Sequence, residues 1–273
     1  TNGGVNLGTP VGIFNTFDSY DIGIPAMNSR RVLMYIAGGA YRTATKNLVY
    51  ASWIDQTGVA GCNNPADEPG ANTASPCKTR VWFARSTDGG ATWGAPVKIN
   101  DQAGLNDQLN QWLAVDETNG RISIMYYDTV DDSNRLKTDV WYQTSTDDGV
   151  TWSAATRVTT AMTDETVAGA DSGNQYGDYN GMAGYAGTFF PCWTDRRDNA
   201  REEIWTAAIS ESNPPPAPGE SNSLTVNKDT SGHLLLSWSP DCGGGTTYGI
   251  YRGDLRAGYG SIAPEPGFCS VAA

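Results

Sequence analysis

The run RSTDGGATW, residues 85–93, returns as TSTDDGVTW at residues 144–152. Each copy closes a stretch of strand-forming residues that carries a Trp, RVWFARS at 80–86 and DVWYQTS at 139–145, and a third such stretch, EIWTAAIS, lies at 203–210. Upstream of each Trp strand comes another that ends in an acid: YASWID at Asp55, IMYYD at Asp128 and FPCWTD at Asp195. Short strands, GAPVKI and AATRV, follow the two complete runs. The repeating unit is thus four strands, A to D, with a period of roughly 60 residues. A four-stranded antiparallel sheet cannot cover both its faces alone, and radial stacking of such sheets does so, which predicts an all-β chain with about three β-propeller blades. The N-terminal LGTPVGI, residues 7–13, is predicted as a further D strand without its blade.

The run itself has the chemistry of a C-to-D turn. Asp88 and Asp147 can accept hydrogen bonds from turn amides, Gly90 and Gly149 supply permissive backbone, and Trp93 and Trp152 can pin each hairpin to its sheet. One chain repeats the run because each blade needs the same staple.

Composition narrows the partners. With 273 residues, 39% of them hydrophobic, the chain can bury a sizeable core, and its net charge of −12 disfavours nucleic acid and anionic membrane, both of which need a cationic surface. No stretch of 18 apolar residues is present to span a bilayer. The opening TNGGVNLGTP lacks the basic start and apolar centre of a signal peptide, so a processed mature chain or a cytosolic one is expected. Cysteine decides between them: Cys62 and Cys77 bracket one polar loop, Cys242 and Cys269 bracket a Gly-rich one, and two disulfides are expected, placing the chain in an oxidising compartment, secreted or at the cell surface. Cys192, inside FFPCW, is expected as a buried, unreactive thiol.

Ser86-Thr87-Asp88-Gly89-Gly90-Ala91-Thr92-Trp93 and Ser145-Thr146-Asp147-Asp148-Gly149-Val150-Thr151-Trp152 resemble the Asp-box, S-x-D-x-G-x-T-W, of the sialidase-like β-propellers. The resemblance covers residues 1 to about 210. In that family the box is a structural turn remote from the active site. Residues 211–220, ESNPPPAPGE, read as a Pro-rich linker, and residues 221–273 resemble the start of a fibronectin type III module, a short β-sandwich-like segment.

In an up-and-down blade the B-to-C and D-to-A loops share one face, and the repeated runs mark the other. The expected ligand face therefore carries Asp55, Asp128 and Asp195, the loop between Cys62 and Cys77, Arg135 and Arg196 in B-to-C loops, and Asp178 and Tyr179 where the third A strand begins. Asp55, Asp128 and Asp195 recur in every unit, which favours loop-capping acids over the catalytic alternative. The run DTVDDSNR offers Asp128, Asp131 and Asp132 as oxygen ligands for Ca²⁺, against a reading as solvated acids, since it lacks the spacing of an EF-hand. His233, the only histidine, lies beyond residue 220, which excludes a Ser-His-Asp triad or an HExxH zinc site from the propeller segment.

Sialidases of the resembled family hold the substrate carboxylate with three arginines, the first in a Y/F-R-I-P motif, and use a Tyr–Glu pair and an Asp in catalysis. The nearest match here, Tyr20 to Pro25, places Gly23 where that arginine would stand, with Arg30 and Arg31 as possible substitutes and RRVLMYIA a competing choice for the first A strand. The expected function is a noncatalytic propeller module that binds a glycan or a protein surface. A glycoside hydrolase of the exo-α-sialidase type is the alternative. Three blades are fewer than the four to eight of a propeller, so further blades beyond this sequence are expected, with a homodimer that completes one ring as the alternative.

Overall fold

The structure, a computed structural model, describes residues 8–198 and 201–211, and beyond them only the backbone of three short strand pairs, Thr225–Lys228 with Leu234–Ser237, Thr247–Tyr248 with Val271–Ala272, and Tyr251–Arg252 with Ala263–Pro264. The chain divides into two compact units, Thr1–Ser210 and Glu211–Ala273. The Cys242–Cys269 pairing, residues 212–220 of the linker and the remainder of the fibronectin-like segment lie outside the described residues. No helix among the described residues is long and apolar enough to cross a membrane.

The first unit is all-β. A hairpin of β1 (Asp21–Ile22) and β2 (Val32–Leu33) precedes three antiparallel sheets. The first sheet runs β3 (Ala37–Arg42), β4 (Asn47–Gln56), β5 (Thr79–Ser86), β6 (Val97–Lys98). The second runs β7 (Gln108–Val115), β8 (Ile122–Asp128), β9 (Lys137–Ser145), with β10 (Thr156–Arg157) and β11 (Thr163–Asp164) sharing the outer edge of β9. The third runs β12 (Gly181–Tyr185), β13 (Thr188–Asp195), with β14 (Glu203–Thr206) and β15 (Ile209–Ser210) both paired to β13. The inner strand of the first sheet is therefore AGGAYR, not RRVLMYIA, whose Val32–Leu33 pairs with β1 instead.

The sheets stack side by side through β3, β7 and β12. Small residues permit the approach: a Cβ on Gly39 would lie 2.7 Å from Val115 Cγ2 and 2.9 Å from Leu113 Cδ2. The second repeated run also locks its sheet to the first. Gly149 has φ of +81°, and a Cβ there would fall 2.5 Å from the Phe83 ring, while Trp152 meets Phe83 edge-on at 5.0 Å. Within each run the Ser hydroxyl receives the Gly amide (Gly90 and Gly149, 2.8 and 2.9 Å), and the Asp receives the Thr hydroxyl (Thr92 and Thr151, both 2.6 Å).

The two ends of the stack differ. Residues 8–13 form no strand. The chain there instead lays Ile13 and the following Phe14 and Phe17 against Trp53 and Trp82 of the first sheet, with Phe14 and Trp82 stacked at 6.0 Å. The outer face of the third sheet has no such cover among the described residues: Tyr185, Phe190 and Ile204 are exposed on it, Ile204 by 75%. Cys192 alternates onto this face between inward Pro191 and Trp193, so it is exposed, and the expectation of a buried thiol is overturned. A maleimide added to native protein is expected to label Cys192 within minutes and to leave Cys62 and Cys77, joined as a disulfide, unlabelled. Peptide mass mapping checks it; protection of Cys192 would show that another surface covers the face.

Candidate ligand-binding site

The acids at the B-strand exits are consumed by the fold. Asp55 receives the backbone amides of Phe17 (2.8 Å), Asp18 (3.2 Å) and Gln56 (2.8 Å), which ties the N-terminal segment to the first sheet. Asp128 receives Asn106 Nδ2 (2.7 Å), Gln108 Nε2 (3.1 Å) and the Val130 amide (2.9 Å). Asp195 receives Trp193 Nε1 (3.1 Å), the Arg197 amide (2.8 Å) and Arg197 Nη2 (2.5 Å). All three are buried. Asp128 and Asp195 each cap the loop after their B strand through the amides of Val130 and Arg197, while Asp55 holds the N-terminal segment.

Burial has a titration consequence. It pushes the Asp55 and Asp128 carboxyls up to about 6, from an ordinary 3.8, against the hydrogen bonds that favour their charged forms. A raised carboxyl stabilises the fold when protonated, so this contribution is full below the ordinary value and is lost as pH rises through 6. The opposite holds for Asp88 and Asp147, which the hydroxyls of Thr92 and Thr151 hold at about 2; their contribution is lost as pH falls from the ordinary value toward 2. The melting temperature is therefore expected to peak at about pH 4 and to fall toward both pH 2 and pH 6. Thermal scans across that range check it, and a rise that continues to pH 7 would contradict it.

The metal and arginine candidates are placed elsewhere than expected. Asp132 receives the amides of Asn134, Leu136 and Lys137, and Asp131 stands 3.6 Å from Arg157, so with Asp128 already engaged these three do not converge. Among the described residues no group of three or more His, Cys, Asp or Glu is placed to hold a metal ion. Arg135, expected on the ligand face, turns inward: its φ of +59° aims the guanidinium at buried Asp107, at 2.7 and 2.8 Å, and it also donates to the carbonyls of Ser75 and Cys77. Arg196 is likewise buried, its Nε 3.4 Å from Glu202. Arg31 is clamped by Asp21 at 2.6 Å and bidentately by Glu68, and Arg30 pairs with Asp178 at 2.7 Å. A side chain at Gly23 would be tightly placed, since a Cβ there would lie 3.1 Å from Gly70 Cα and 3.2 Å from Arg31 Nη1.

What remains open at the entrances of the inner strands is aromatic and amide. Tyr35 leads into β3, Trp112 sits on β7 and Tyr179 leads into β12. Tyr35 meets Tyr179 edge-on at 5.2 Å and Trp112 at 6.3 Å. The Tyr35 hydroxyl donates to the Gln111 carbonyl at 2.7 Å and is bonded by the Asn180 backbone, while Gln111 Nε2 reaches the carbonyls of Tyr35 and Ser52. Asn180 Nδ2 donates to the Asn110 carbonyl at 2.6 Å. The three sheets are thus tied together at this end. Trp112 also borders a cavity of about 560 Å³ that runs along β3, β7 and β12, past Gly39, Ala114, Val115 and Ala183.

Of the expected site residues, Asp178 and Tyr179 are exposed here, Tyr179 by 63%, and Asp178 pairs with Arg30 at 2.7 Å. Tyr35, Asn110, Trp112 and Asn180 were not anticipated. Asn110 carries no sequence signal because its position depends on the bulge in β7 between Leu109 and Trp112, where its φ is +45°.

No protein-family profile matches the chain, and no curated protein does. Among solved structures the chain is similar to the Hadza microbial sialidase Hz136 (14% identity, 86% of this chain and 45% of that one, TM-score 0.40). It is also similar to a mutant of the α-L-arabinofuranosidase Arb93A of Fusarium graminearum in complex with an iminosugar inhibitor (17% identity, 85% and 65%, TM-score 0.40). A third is the α-L-arabinanase of Penicillium chrysogenum in complex with arabinobiose (17% identity, 93% and 69%, TM-score 0.37). The chain spans 45% and 65% of the length of the first two. At these scores the likeness carries no functional weight.

Proposed function

We propose that residues 1–210 are a secreted β-propeller segment that binds a carbohydrate without cleaving it, and that the two repeated runs are Asp-boxes serving as hairpin staples. The supporting observation is the state of the recurrent acids: Asp55, Asp128 and Asp195 are each buried under hydrogen bonds that hold loops. A general acid must reach the leaving oxygen, and these reach backbone and side-chain donors of their own chain. The disulfide between Cys62 and Cys77, with Cα atoms 5.3 Å apart, suits an oxidising compartment.

The test is hydrolysis. With a fluorogenic sialoside and a set of aryl pentosides and hexosides, no turnover is expected. Turnover that scales with protein and disappears in Asp55→Asn, Asp128→Asn or Asp195→Asn would establish a glycoside hydrolase and identify its acid.

A further inference from the structure

The connector from β11 to β12, residues 165–180, carries Asp178 and Tyr179 and is fastened at two places. Near its end, Gln175 Oε1 receives the backbone amides of Ser29 and Arg30 (3.2 and 3.3 Å) and Gln175 Nε2 donates to Asn28 Oδ1 (3.1 Å), while the Tyr176 ring packs on Tyr127 of β8 at 5.0 Å. Near its start, the Asp171 amide donates to Glu202 Oε1 at 3.0 Å, and the same oxygen lies 3.4 Å from Arg196 Nε. Gln175 Nε2 also donates to the Glu165 carbonyl at 2.6 Å, which links the two fastenings.

The Glu165 carboxyl has no such support. It is 1% exposed, and no amide or hydroxyl donates to either of its oxygens. Around it stand Arg196 and Asp195 at the end of β13, Glu202 ahead of β14, Tyr127 on β8, and Asp164 and Tyr176 on its own segment. On β9, Lys137 pairs in register with Asp164, while Arg30 is closed on Asp178 and Arg197 on Asp195. Among the described residues one guanidinium, Arg196, is thus left to face two carboxyl groups, Glu165 and Glu202. A buried charge without a counter-charge is expensive, so one of the two carries a proton, and Glu202, with 29% of its side chain exposed, is the better solvated. Burial first, and the Glu202 charge second, push the Glu165 carboxyl up to about 7 from an ordinary 4.5, against the Arg196 charge.

We propose that Glu165 is a proton-operated latch: protonated, it keeps residues 165–178 fastened to the third sheet, and ionised, it sets a second charge beside Glu202 and releases them. A raised carboxyl stabilises the fastened form when protonated, so fastening is complete below the ordinary 4.5 and is lost as pH rises through about 7. The latch governs the placement of Asp178 and Tyr179, and it stands whether or not that face binds a sugar.

Hydrogen exchange read by mass spectrometry, corrected for the chemical rate at each pH, tests it. Protection in peptides spanning 165–178 is expected to fall about tenfold or more from pH 5 to pH 8, because one proton linked to release changes the equilibrium by up to about tenfold per pH unit. Glu165→Gln, which cannot ionise, is expected to keep the pH 5 protection through pH 8. Glu202→Gln leaves Arg196 to Glu165 alone, so the fall is expected to shrink and to finish at lower pH. Equal protection at pH 5 and pH 8 in the wild-type chain overturns the latch, as does a fall that Glu165→Gln leaves unchanged or one that β4 and β9 share to the same degree. Should Glu165→Gln fail to fold, Glu202→Gln decides alone, and a fall that it does not move overturns the latch.

Discussion

Arg135→Ala is expected to destabilise the first unit by about 3–5 kcal/mol, the range for breaking a buried ion pair from one side. The guanidinium and Asp107 are both buried, and the pair is bidentate at 2.7 and 2.8 Å. Removing Arg135 leaves the Asp107 charge with the Thr79 amide as a donor, and it orphans the carbonyls of Ser75 and Cys77. Left-handed backbone adds a second cost for alanine that glycine avoids, so Arg135→Gly is expected to be milder than Arg135→Ala. Urea denaturation measures both. Equal midpoints for the two variants would mean that backbone strain at 135 contributes nothing, and a wild-type midpoint for either would show that the pair is dispensable.

Loss of the Cys62–Cys77 disulfide is expected to cost about 3 kcal/mol, from the entropy of the loop it closes in the unfolded chain. The sequence separation is 15 residues. This loop is also where Arg135 anchors, through Ser75 and Cys77, so the two effects share partners. Cys62→Ser/Cys77→Ser combined with Arg135→Ala is therefore expected to lose less than the sum of the separate losses, since a loop already released offers Arg135 nothing to hold. Strict additivity in urea would show that the loop keeps its place without the disulfide.

Most of the fold was legible because it is built from local, repeated chemistry. The Ser, Asp, Gly and Thr of the two runs make the same bonds at the same offsets, so reading one copy predicts the other. The acid-ended strands were legible for the same reason, and their recurrence pointed to loop capping. Other features depend on what stands next to a residue in space. Cys192 lies in an apolar run, but the pleat turns it outward onto a face that nothing described covers. Residues 8–13 have strand-like composition, yet they form no strand, and Ile13 with the following Phe14 and Phe17 is drawn to Trp53 and Trp82. Arg135 finds its partner 28 residues earlier, at Asp107, and nothing in either flank announces it. Asn110 and Asn180 look like ordinary polar residues until a bulge and a strand entrance bring them beside Tyr35 and Tyr179.

Native mass spectrometry of the protein with a mixed panel of neutral and sialylated oligosaccharides tests the binding-without-cleavage reading most directly, because one spectrum reports both the bound mass and any product. The expected result is an adduct of an intact oligosaccharide, with every panel member recovered at its starting mass. Oligosaccharides shortened by one or more sugar units, at a rate proportional to protein concentration, would contradict it.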